Sequence, residues 1–440
     1  AEYYTKRLWV SDGANLKVYT DGDTAPKKTW AATDFTSNSA RSMLAGMTRI
    51  APDHVTGALA TVNLAPPAEI GGTPATAAAN PNAVWKTGGD YTDTIKVRPP
   101  GTWSADTLVN IGTNKIGDKK TNVLAAISND KITQLTLGKS SVALQLQVEN
   151  AVGNPTGVYA GNGKNVNISA KEVNIITRGR EGGNTLTNAV QLDAAKDKAS
   201  QIFFNAPLNI SMTGGLGGNG VAIQKSDRHG EKSYKASNYT KIQINGNLKI
   251  AGATTGEWGI PLNRENVFSR FNNAGILTQV EKGTVLVLNP SSGTGGNVDL
   301  TVYGNGVTTN AADSAVRIAG GGSIQVPAGT KYSYYALAAY QGEISLNMGA
   351  DGTTLGNGKT GSAIADVKLD GDLFALSTGK LKAALLTDKS YLHGLVDSGG
   401  EADLYLKNGA KWINESRNER YYQDIEDVGA GTVAGGKYTP

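Results

Sequence analysis

Cysteine is absent from all 440 residues of the chain. Disulfide bonds, cysteine-ligated metal sites and thiol catalysis are therefore excluded together. The absence is unusual for a small secreted domain. It suits a long chain that crosses a membrane unfolded, because a disulfide would block the passage.

Long apolar runs and a strong charge of one sign are also lacking. No stretch of 18 or more apolar residues occurs, so the sequence predicts no membrane-spanning helix. The 42 basic and 38 acidic residues leave a formal net charge of +4 without a basic block, which predicts no nucleic-acid partner. The chain does not start with a signal peptide, and we interpret Ala1-Glu2 as a trimmed start.

Histidine is scarce, which limits the catalytic chemistry of the chain. The three histidines are His54, His229 and His393. None is spaced from another as a metal ligand, and no Gly-x-Ser-x-Gly nucleophile motif occurs. A Ser-His-Asp set could be written only from the sequence neighbours His393, Asp397 and Ser398, and such neighbours rarely form a triad. We therefore predict no catalytic residue, no metal site and no cofactor.

Glycine is the residue type in excess, at 56 positions without a collagen-like period. Between the glycines lie short segments in which apolar and polar residues alternate. Because a period of two is typical of a half-buried strand, these segments predict an all-β fold. They are 134–137, 142–148, 166–169, 173–177, 208–212, 241–244, 248–250, 285–288, 298–302, 344–346, 367–369 and 402–406.

The strand segments also repeat loosely. A small residue followed by valine opens a segment at 157–158, 189–190, 220–221 and 315–316, and the first three lie roughly 20 to 35 residues apart. Stacked coils explain this, because each short strand buries its apolar side only against its neighbours. The sequence predicts a right-handed parallel β-helix with about 13 coils of about 22 residues. A β-sandwich with Asn-Gly and Asp-Gly hairpins is the alternative.

Three regions are expected along the chain. Residues 1–120 hold most of the prolines and are predicted to form an irregular N-terminal cap with loops. Residues 121–415 form the predicted β-helix, and residues 416–440 form a charged, then glycine-rich tail. Within the β-helix, 190–202 is the best helix candidate, with a loop between coils as the alternative.

The C-terminal coils carry a pattern known from one family. The pattern comprises 366–372 (DVKLDGD), 379–386 (GKLKAALL), 390–396 (SYLHGLV) and 403–412 (DLYLKNGAKW). Over 360–415 it resembles the last coils of bacterial autotransporter passengers, the secreted part of type V secretion proteins. Over 120–360 the resemblance is one of texture, and the first 100 residues show none. In this pattern Asn408-Gly409 makes a tight turn and Trp412 lies across the coil as an apolar cover.

The resemblance implies a protein secreted to the bacterial cell surface and anchored in the outer membrane by a C-terminal β-barrel. The charged stretch 414–427 departs from the family pattern, and no barrel strands follow it in this chain. Such a passenger is expected to be an adhesin and not an enzyme. Its partner would be a surface glycan, a surface protein, or copies of itself in aggregation and biofilm.

Two other functions stay open. A β-helix polysaccharide lyase or glycoside hydrolase would need clustered carboxylates, and Asp366, Asp370 and Asp372 are the nearest set. Within one strand these three would lie on the same face, although a solvated coil edge is the simpler interpretation. A structural surface-layer or phage-spike protein would form a stable trimer.

Two aromatic groups are the candidate ligand- or partner-binding residues, because aromatic and arginine side chains on protruding loops are typical of interfaces. The first group interrupts the strand pattern and comprises Trp258, Arg264, Phe268, Arg270 and Phe271. The second comprises Tyr332, Tyr334 and Tyr335, with Tyr340 beside them. Packing of both groups back onto the coils is the alternative.

Overall fold

The computed structural model describes six strands in the first 111 residues and most of the chain between residues 123 and 414. The described residues are 7–12, 15–20, 28–31, 48–50, 94–97, 109–111, 123–129, 134–137, 140, 144–149, 154–178, 187–195, 198–213, 218–225, 240–252, 274–289, 295–302, 304–326, 334–376, 378–414, 432–434 and 437–439. They lie mostly in strands, and the predicted fold class, an all-β parallel β-helix, is confirmed. Within these ranges no helix is long and apolar enough to span a membrane.

In the described residues, thirty-one strands lie in the β-helix and at its two ends. The six strands that precede the coils are β1 (Arg7–Asp12), β2 (Asn15–Thr20), β3 (Lys28–Ala31), β4 (Thr48–Ile50), β5 (Thr94–Val97) and β6 (Val109–Ile111). The first five coils contain β7 (Val123–Asn129), β8 (Gln134–Leu137) and β9 (Leu144–Glu149); β10 (Asn154–Gly161), β11 (Asn165–Ser169) and β12 (Val173–Arg178); β13 (Thr187–Ala194), β14 (Gln201–Asn205) and β15 (Leu208–Thr213); β16 (Gly218–Lys225), β17 (Lys241–Asn245) and β18 (Leu248–Gly252); β19 (Ala274–Thr278), β20 (Thr284–Leu288) and β21 (Val298–Thr301). The last four contain β22 (Asn305–Ile318) and β23 (Gly322–Gln325); β24 (Tyr335–Leu346) and β25 (Val367–Asp370); β26 (Asp372–Ala375), β27 (Lys380–Leu385) and β28 (Tyr391–His393); β29 (Val396–Ser398), β30 (Glu401–Leu406) and β31 (Lys411–Asn414).

Parallel pairing between successive coils builds three sheets along the helix axis. The first sheet contains β7, β10, β13, β16, β19, β26 and β29, and the second contains β8, β11, β14, β17, β20, β27 and β30. The long strands β22 and β24 run through both of these sheets. The third sheet contains β9, β12, β15, β18, β21, β23, β25, β28 and β31.

The coils are longer and fewer than the sequence predicts. Their first strands begin 24 to 56 residues apart, against the expected period of about 22. Nine coils are formed between β7 and β31, against an expected 13 or so. The excess length lies between strands, as at 226–240 and 253–273. The prediction was wrong because periodicity marks only the residues in strands and gives no measure of the segments that join them.

The repeated small-residue–valine openings mark one inward column of the first sheet. Val158, Val190 and Val221 occupy the same register on successive coils and are completely buried. The fourth opening differs, because Val316 pairs with Val285 in the second sheet. Alternate residues of all three sheets meet in one apolar core that continues from coil to coil.

The residue before each of these valines must be small because two chain segments meet there. A Cβ placed at Gly157 would lie 2.5 Å from Ile175 Cγ2 and 2.9 Å from Ala189 O. On the following coils Ala189 and Gly220 occupy the same position in the register. The motif that reveals the repeat is therefore a packing requirement of each coil.

Asparagine side chains join successive coils where the first sheet begins. Asn219 N and Nδ2 donate to Asn188 Oδ1 at 3.1 and 2.9 Å, and Ala274 N donates to Asn219 Oδ1 at 3.0 Å. Further along, Tyr335 N donates to Asn305 Oδ1 at 2.8 Å. These bonds satisfy buried N–H groups at a corner where the main-chain ladder is interrupted.

No helix forms in the described parts of 190–202, which are 190–195 and 198–202, and the helix candidate there was wrong. Most of these residues belong to β13 and β14. Val190 and Leu192 point into the core, whereas Gln191 and Asp193 lie on the outer side of β13 and are also buried. The polar residues Gln191 and Asp193 lie in a covered outer layer of a strand.

Strands from the first 111 residues extend both ends of the stack of coils. At the end where the coils begin, β5 pairs in parallel with β9 and β6 pairs in parallel with β7. At the end where the coils finish, β4 pairs in parallel with β30, and β1 pairs antiparallel with β31. β1, β2 and β3 form an antiparallel meander. A separate hairpin is formed by β32 (Thr432–Ala434) and β33 (Lys437–Thr439).

The tight turn in the last coil has the geometry that its sequence requires. Asn408 and Gly409 both have left-handed backbones, with φ of 58° and 85°. The Asn408 side chain donates to Leu386 O at 3.0 Å. Trp412 follows in β31, where its side chain is buried and its Nε1 donates to Gly394 O at 2.8 Å.

Candidate functional surface

The outer side of the third sheet carries two columns of outward side chains along the coils. We name the outward positions from the second to the ninth coil the third-sheet face. They are Asn174, Ile176, Asn209, Ser211, Lys249, Ala251, Asp299, Thr301, Ser323, Gln325, Lys368, Asp370, Tyr391, His393, Lys411 and Ile413. All are exposed or half-buried. Because coils lie about 4.8 Å apart and alternate residues about 7 Å apart, the face is a flat grid of side chains.

Most side chains of the third-sheet face are polar, and some bond across coils. Asn209 Nδ2 donates to Asn174 Oδ1 at 3.0 Å, which links the second and third coils. Lys249 and Asp299 project into solvent from neighbouring coils. The face thus presents amides, hydroxyls and charges of both signs at regular intervals. Such an array suits many weak hydrogen bonds to an extended partner.

Two of the three aspartates named as a possible catalytic cluster are held separately near the end of the β-helix. Asp370 lies on the third-sheet face and accepts a hydrogen bond of 2.8 Å from Tyr391 Oη. Asp366 precedes β25 and accepts a hydrogen bond of 2.7 Å from Thr387 Oγ1. Each carboxylate therefore joins its own coil to the next one.

The third aspartate lies on another sheet. Gly371 turns the chain from the third sheet into the first, so Asp372 opens β26 and is completely buried. Its Oδ1 accepts a hydrogen bond of 2.9 Å from Leu395 N. The expectation of one shared face was wrong, because the corner at Gly371 separates Asp370 from Asp372.

The structure also separates the residues of the hypothetical triad. His393 lies on the third-sheet face, whereas Asp397 and Ser398 belong to β29 in the first sheet. His54 and His229 lie outside the described residues. In the ranges that the structure describes, no group of three or more His, Cys, Asp or Glu could hold a metal ion.

The structure describes two of the eight candidate ligand- or partner-binding residues. Six of them lie outside the described residues: Trp258, Arg264, Phe268, Arg270, Phe271 and Tyr332. Tyr334 and Tyr335 are described, and each is only 4% exposed.

The described tyrosines pack within the molecule. Tyr334 belongs to the main core. The ring of Tyr335 stacks on Phe374 with centroids 4.8 Å apart, and Tyr340 meets the same ring at 5.2 Å. These contacts show that the tyrosines pack against neighbouring residues of the β-helix. The binding role assigned to Tyr334 and Tyr335 stays a prediction.

A buried polar network lies on the outer side of the first sheet and was not predicted from the sequence. The Asp193 carboxylate accepts hydrogen bonds of 2.9 Å from Tyr159 Oη and from Gln191 Nε2. Asn188 Nδ2 donates to Gln191 Oε1 at 3.1 Å. All four side chains are buried. The available signal was the alternation in 190–194 (VQLDA), which places Gln191 and Asp193 on one side of a strand.

A loop between β24 and β25 covers part of the outer side of the second sheet. It contains two short 3₁₀ turns, at Leu355–Gly358 and Gly361–Ala363. Leu355 and Ile364 pack against a small apolar cluster, which consists of Met348 at the start of the loop with Ala384, Leu386 and Tyr405 on or beside β27 and β30. Apolar contacts thus hold the loop on the sheet.

Asp351 closes the first turn of this loop. Its Oδ1 accepts hydrogen bonds from Thr353 N at 2.9 Å and Thr354 N at 3.0 Å, and its Oδ2 accepts one from Thr354 Oγ1 at 2.7 Å. Partial burial raises the pKa of Asp351, but the hydrogen bonds outweigh burial and hold the pKa below its usual value.

Lys241 is a half-buried amine on the outer side of the second sheet. Its neighbours in the same column are the uncharged residues Gln201 and Thr284. Burial lowers the pKa of Lys241, because a partly desolvated site disfavours the charged form.

Comparisons with known proteins return no relative. No protein-family model, no curated protein and no solved structure matches the chain. The resemblance to autotransporter passengers therefore stays a prediction from the motifs at 360–415.

Proposed function

We propose that the chain is the surface-exposed passenger of an autotransporter, secreted to the bacterial cell surface, and that it acts as an adhesin through its third-sheet face. Its partner is a surface glycan or protein, or another copy in aggregation and biofilm. An adhesive role asks for a long accessible surface with many weak contacts and needs no reaction centre.

The observation that carries this proposal is the continuous exposure of the third-sheet face. Its polar side chains extend over eight coils, while side chains at the corresponding positions of the first sheet, such as Tyr159, Ala222 and Leu277, are completely buried. Fixed hydrogen-bonding groups on a rigid sheet lose little side-chain entropy on binding. Affinity would then come from the sum of many positions.

The enzymatic alternative receives less support from the described residues. A retaining or inverting glycosidase uses two carboxylates about 5 to 10 Å apart across a bond of the substrate. Asp366 and Asp370 are each engaged by a hydroxyl of the next coil, and Asp372 is buried around a corner. No observation in the described coils favours a trimeric spike.

Sedimentation velocity over a concentration series, run beside cleavage assays on pectin, alginate and glycosaminoglycans, tests the proposal. We expect self-association or retention on one of these immobilised polymers, without depolymerisation. A concentration-independent monomer that shortens a polymer would contradict the adhesive role and support the enzyme.

A charge-reversal set locates the adhesive surface. Lys249→Glu, Lys368→Glu and Lys411→Glu together alter the third-sheet face, and each is expected to weaken binding about 1.5- to 5-fold, as exposed charges do. The matched control reverses Lys359, Lys380 and Lys389, which lie off this face. Equal loss in both sets would show general charge dependence and would remove the face from the proposal.

A further inference from the structure

The last coil is completed by strands from the opposite end of the chain. β1 pairs antiparallel with β31 from Arg7↔Asn414 to Val10↔Lys411. β4 pairs in parallel with β30 from Thr48↔Ala402 to Ile50↔Leu404. These joints span only four and three residue pairs. We name β1 to β4 the N-terminal arm, and the exposed edges of β30 and β31 without it the acceptor end.

A long connection separates the N-terminal arm from the coils. Ile50 lies at the acceptor end and Thr94 lies against the first coil, and residues 51–93, 43 in number, join them. Nine coils extend over about 40 Å, whereas 43 residues reach up to about 150 Å when extended. The connection therefore permits the arm to reach its own coils or those of a neighbouring molecule.

The acceptor end does not specify which molecule supplies the arm. Without β1 and β4, the edge N–H and C=O groups of β30 and β31 would be left unpaired, and an unpaired edge is a template for strand addition. β1 runs antiparallel to every coil strand of the third sheet, so it does not continue the winding of the helix. Any copy of the arm that brings the same register satisfies the same groups.

We propose that the N-terminal arm of one molecule caps the acceptor end of a second molecule and joins the two head to tail. In such a pair, β4 of the donor lies on β30 of the acceptor, and β5 and β6 of the donor lie on the donor's own first coil. The donor's β4 then continues the parallel order of the acceptor's second sheet, whereas the donor's β1 adds antiparallel to β31. The interface is heterologous, so repeated exchange builds open chains of molecules.

The absence of cysteine permits a direct cross-linking test on the full chain. Val10 and Lys411 are Cα partners across the joint of β1 and β31. Variants Val10→Cys and Lys411→Cys are unfolded together in urea, refolded by dialysis and oxidised, and the products are separated without reductant. We expect a disulfide-linked species of twice the chain mass in the mixture. The double variant should give a ladder of linked multimers.

The control pairs Val10→Cys with Lys249→Cys, because Lys249 is exposed in the same column of the third sheet but lies five coils away from the acceptor end. We expect no linked dimer from this mixture or from either single variant alone. A double variant that stays monomeric with an internal disulfide, beside a mixture that gives no dimer, would overturn the exchange. A double variant that forms no disulfide at all would overturn it too, since the arm then does not dock on β31.

Discussion

The outer sides of the first and third sheets differ although their inner sides are alike. Both sheets direct Val, Ile and Leu into one core. Outward residues of the first sheet such as Leu277 are buried, whereas outward residues of the third sheet such as Thr301 are exposed. Alternation therefore tells which residues of a strand face the core, but a second layer decides whether the other side meets solvent. Only an exposed outer side is available to a partner.

Truncating one outward residue in each sheet should give the largest contrast. Leu277 packs against Ala222 and Ala274 in the outer layer of the first sheet. Leu277→Ala should lower the free energy of unfolding by about 2 to 5 kcal/mol, as for a core leucine. Thr301→Ala on the third-sheet face should change it by no more than about 0.5 kcal/mol. Urea unfolding midpoints at unchanged m-values measure both, and similar losses would contradict the distinction between a covered and an open side.

The asparagine contacts offer the same comparison with hydrogen bonds. Asn219→Ala removes the acceptor of the buried Ala274 N–H and should cost about 1 to 3 kcal/mol, the penalty for an unsatisfied buried group. Asn209→Ala breaks a bond of equal length to Asn174 on the third-sheet face, where water replaces it, and should cost less than about 0.5 kcal/mol. Equal destabilisation of the two variants, measured by urea titration, would show that exposure does not set the cost.

Much of the strand content could be predicted from the sequence because the inward columns are regular. The segment 134–137 is β8, and the segments at 173–177 and 208–212 lie within β12 and β15. The repeat of the coils could be recognised from the small residue before Val158, Val190 and Val221. Packing against the third sheet requires a small residue at that position. The number of coils could not be predicted, because residues that join strands follow no period.

The surface was harder to predict because burial outside the core leaves little trace in the sequence. Gln191 and Asp193 are polar and yet covered, and their partner Tyr159 lies one coil away, 32 and 34 positions distant. Tyr335 was predicted to be a candidate contact residue, with packing onto the coils as the alternative, and its ring stacks on Phe374, which lies on the next coil. Pairings between coils depend on the register, which a single sequence does not state.

The half-buried Lys241 should show how strongly its site on the outer side of the second sheet penalises charge. Its folded-state pKa is lowered by burial from the ordinary 10.5, so the unfolded chain binds the proton more tightly. Stability should therefore rise with pH from the folded pKa up to about 10.5, where the unfolded amine also loses its proton. Lys241→Met should raise the melting temperature at neutral pH by less than about 2 °C, because the amine keeps much of its hydration.

The exposed Lys249 is the matched control for this substitution. Lys249→Met removes the same charge from the third-sheet face, where no burial opposes it. The difference between Lys241→Met and the unmodified protein should shrink as the pH approaches 10.5, and Lys249→Met controls for the loss of one positive charge. A parallel trend in both variants, followed by calorimetry between pH 7 and that limit, would assign the effect to net charge.

The smallest effect is expected in the loop that covers the second sheet. The hydrogen bonds from Thr353 and Thr354 hold the pKa of Asp351 below its ordinary 3.8, so the folded loop favours the charged carboxylate. This contribution is fully present above about pH 4 and is lost as the pH falls through the lowered folded-state pKa. The Thr353 and Thr354 amides should therefore lose their protection from hydrogen exchange on acidification before the amides of the core strands do.

Asp351→Asn keeps an oxygen acceptor but does not titrate, so its loop should already be looser at pH 7 and should show no further change on acidification. If the variant and the unmodified protein lose protection together, the carboxylate does not hold the loop, and the apolar contacts of Leu355 and Ile364 alone cover the sheet.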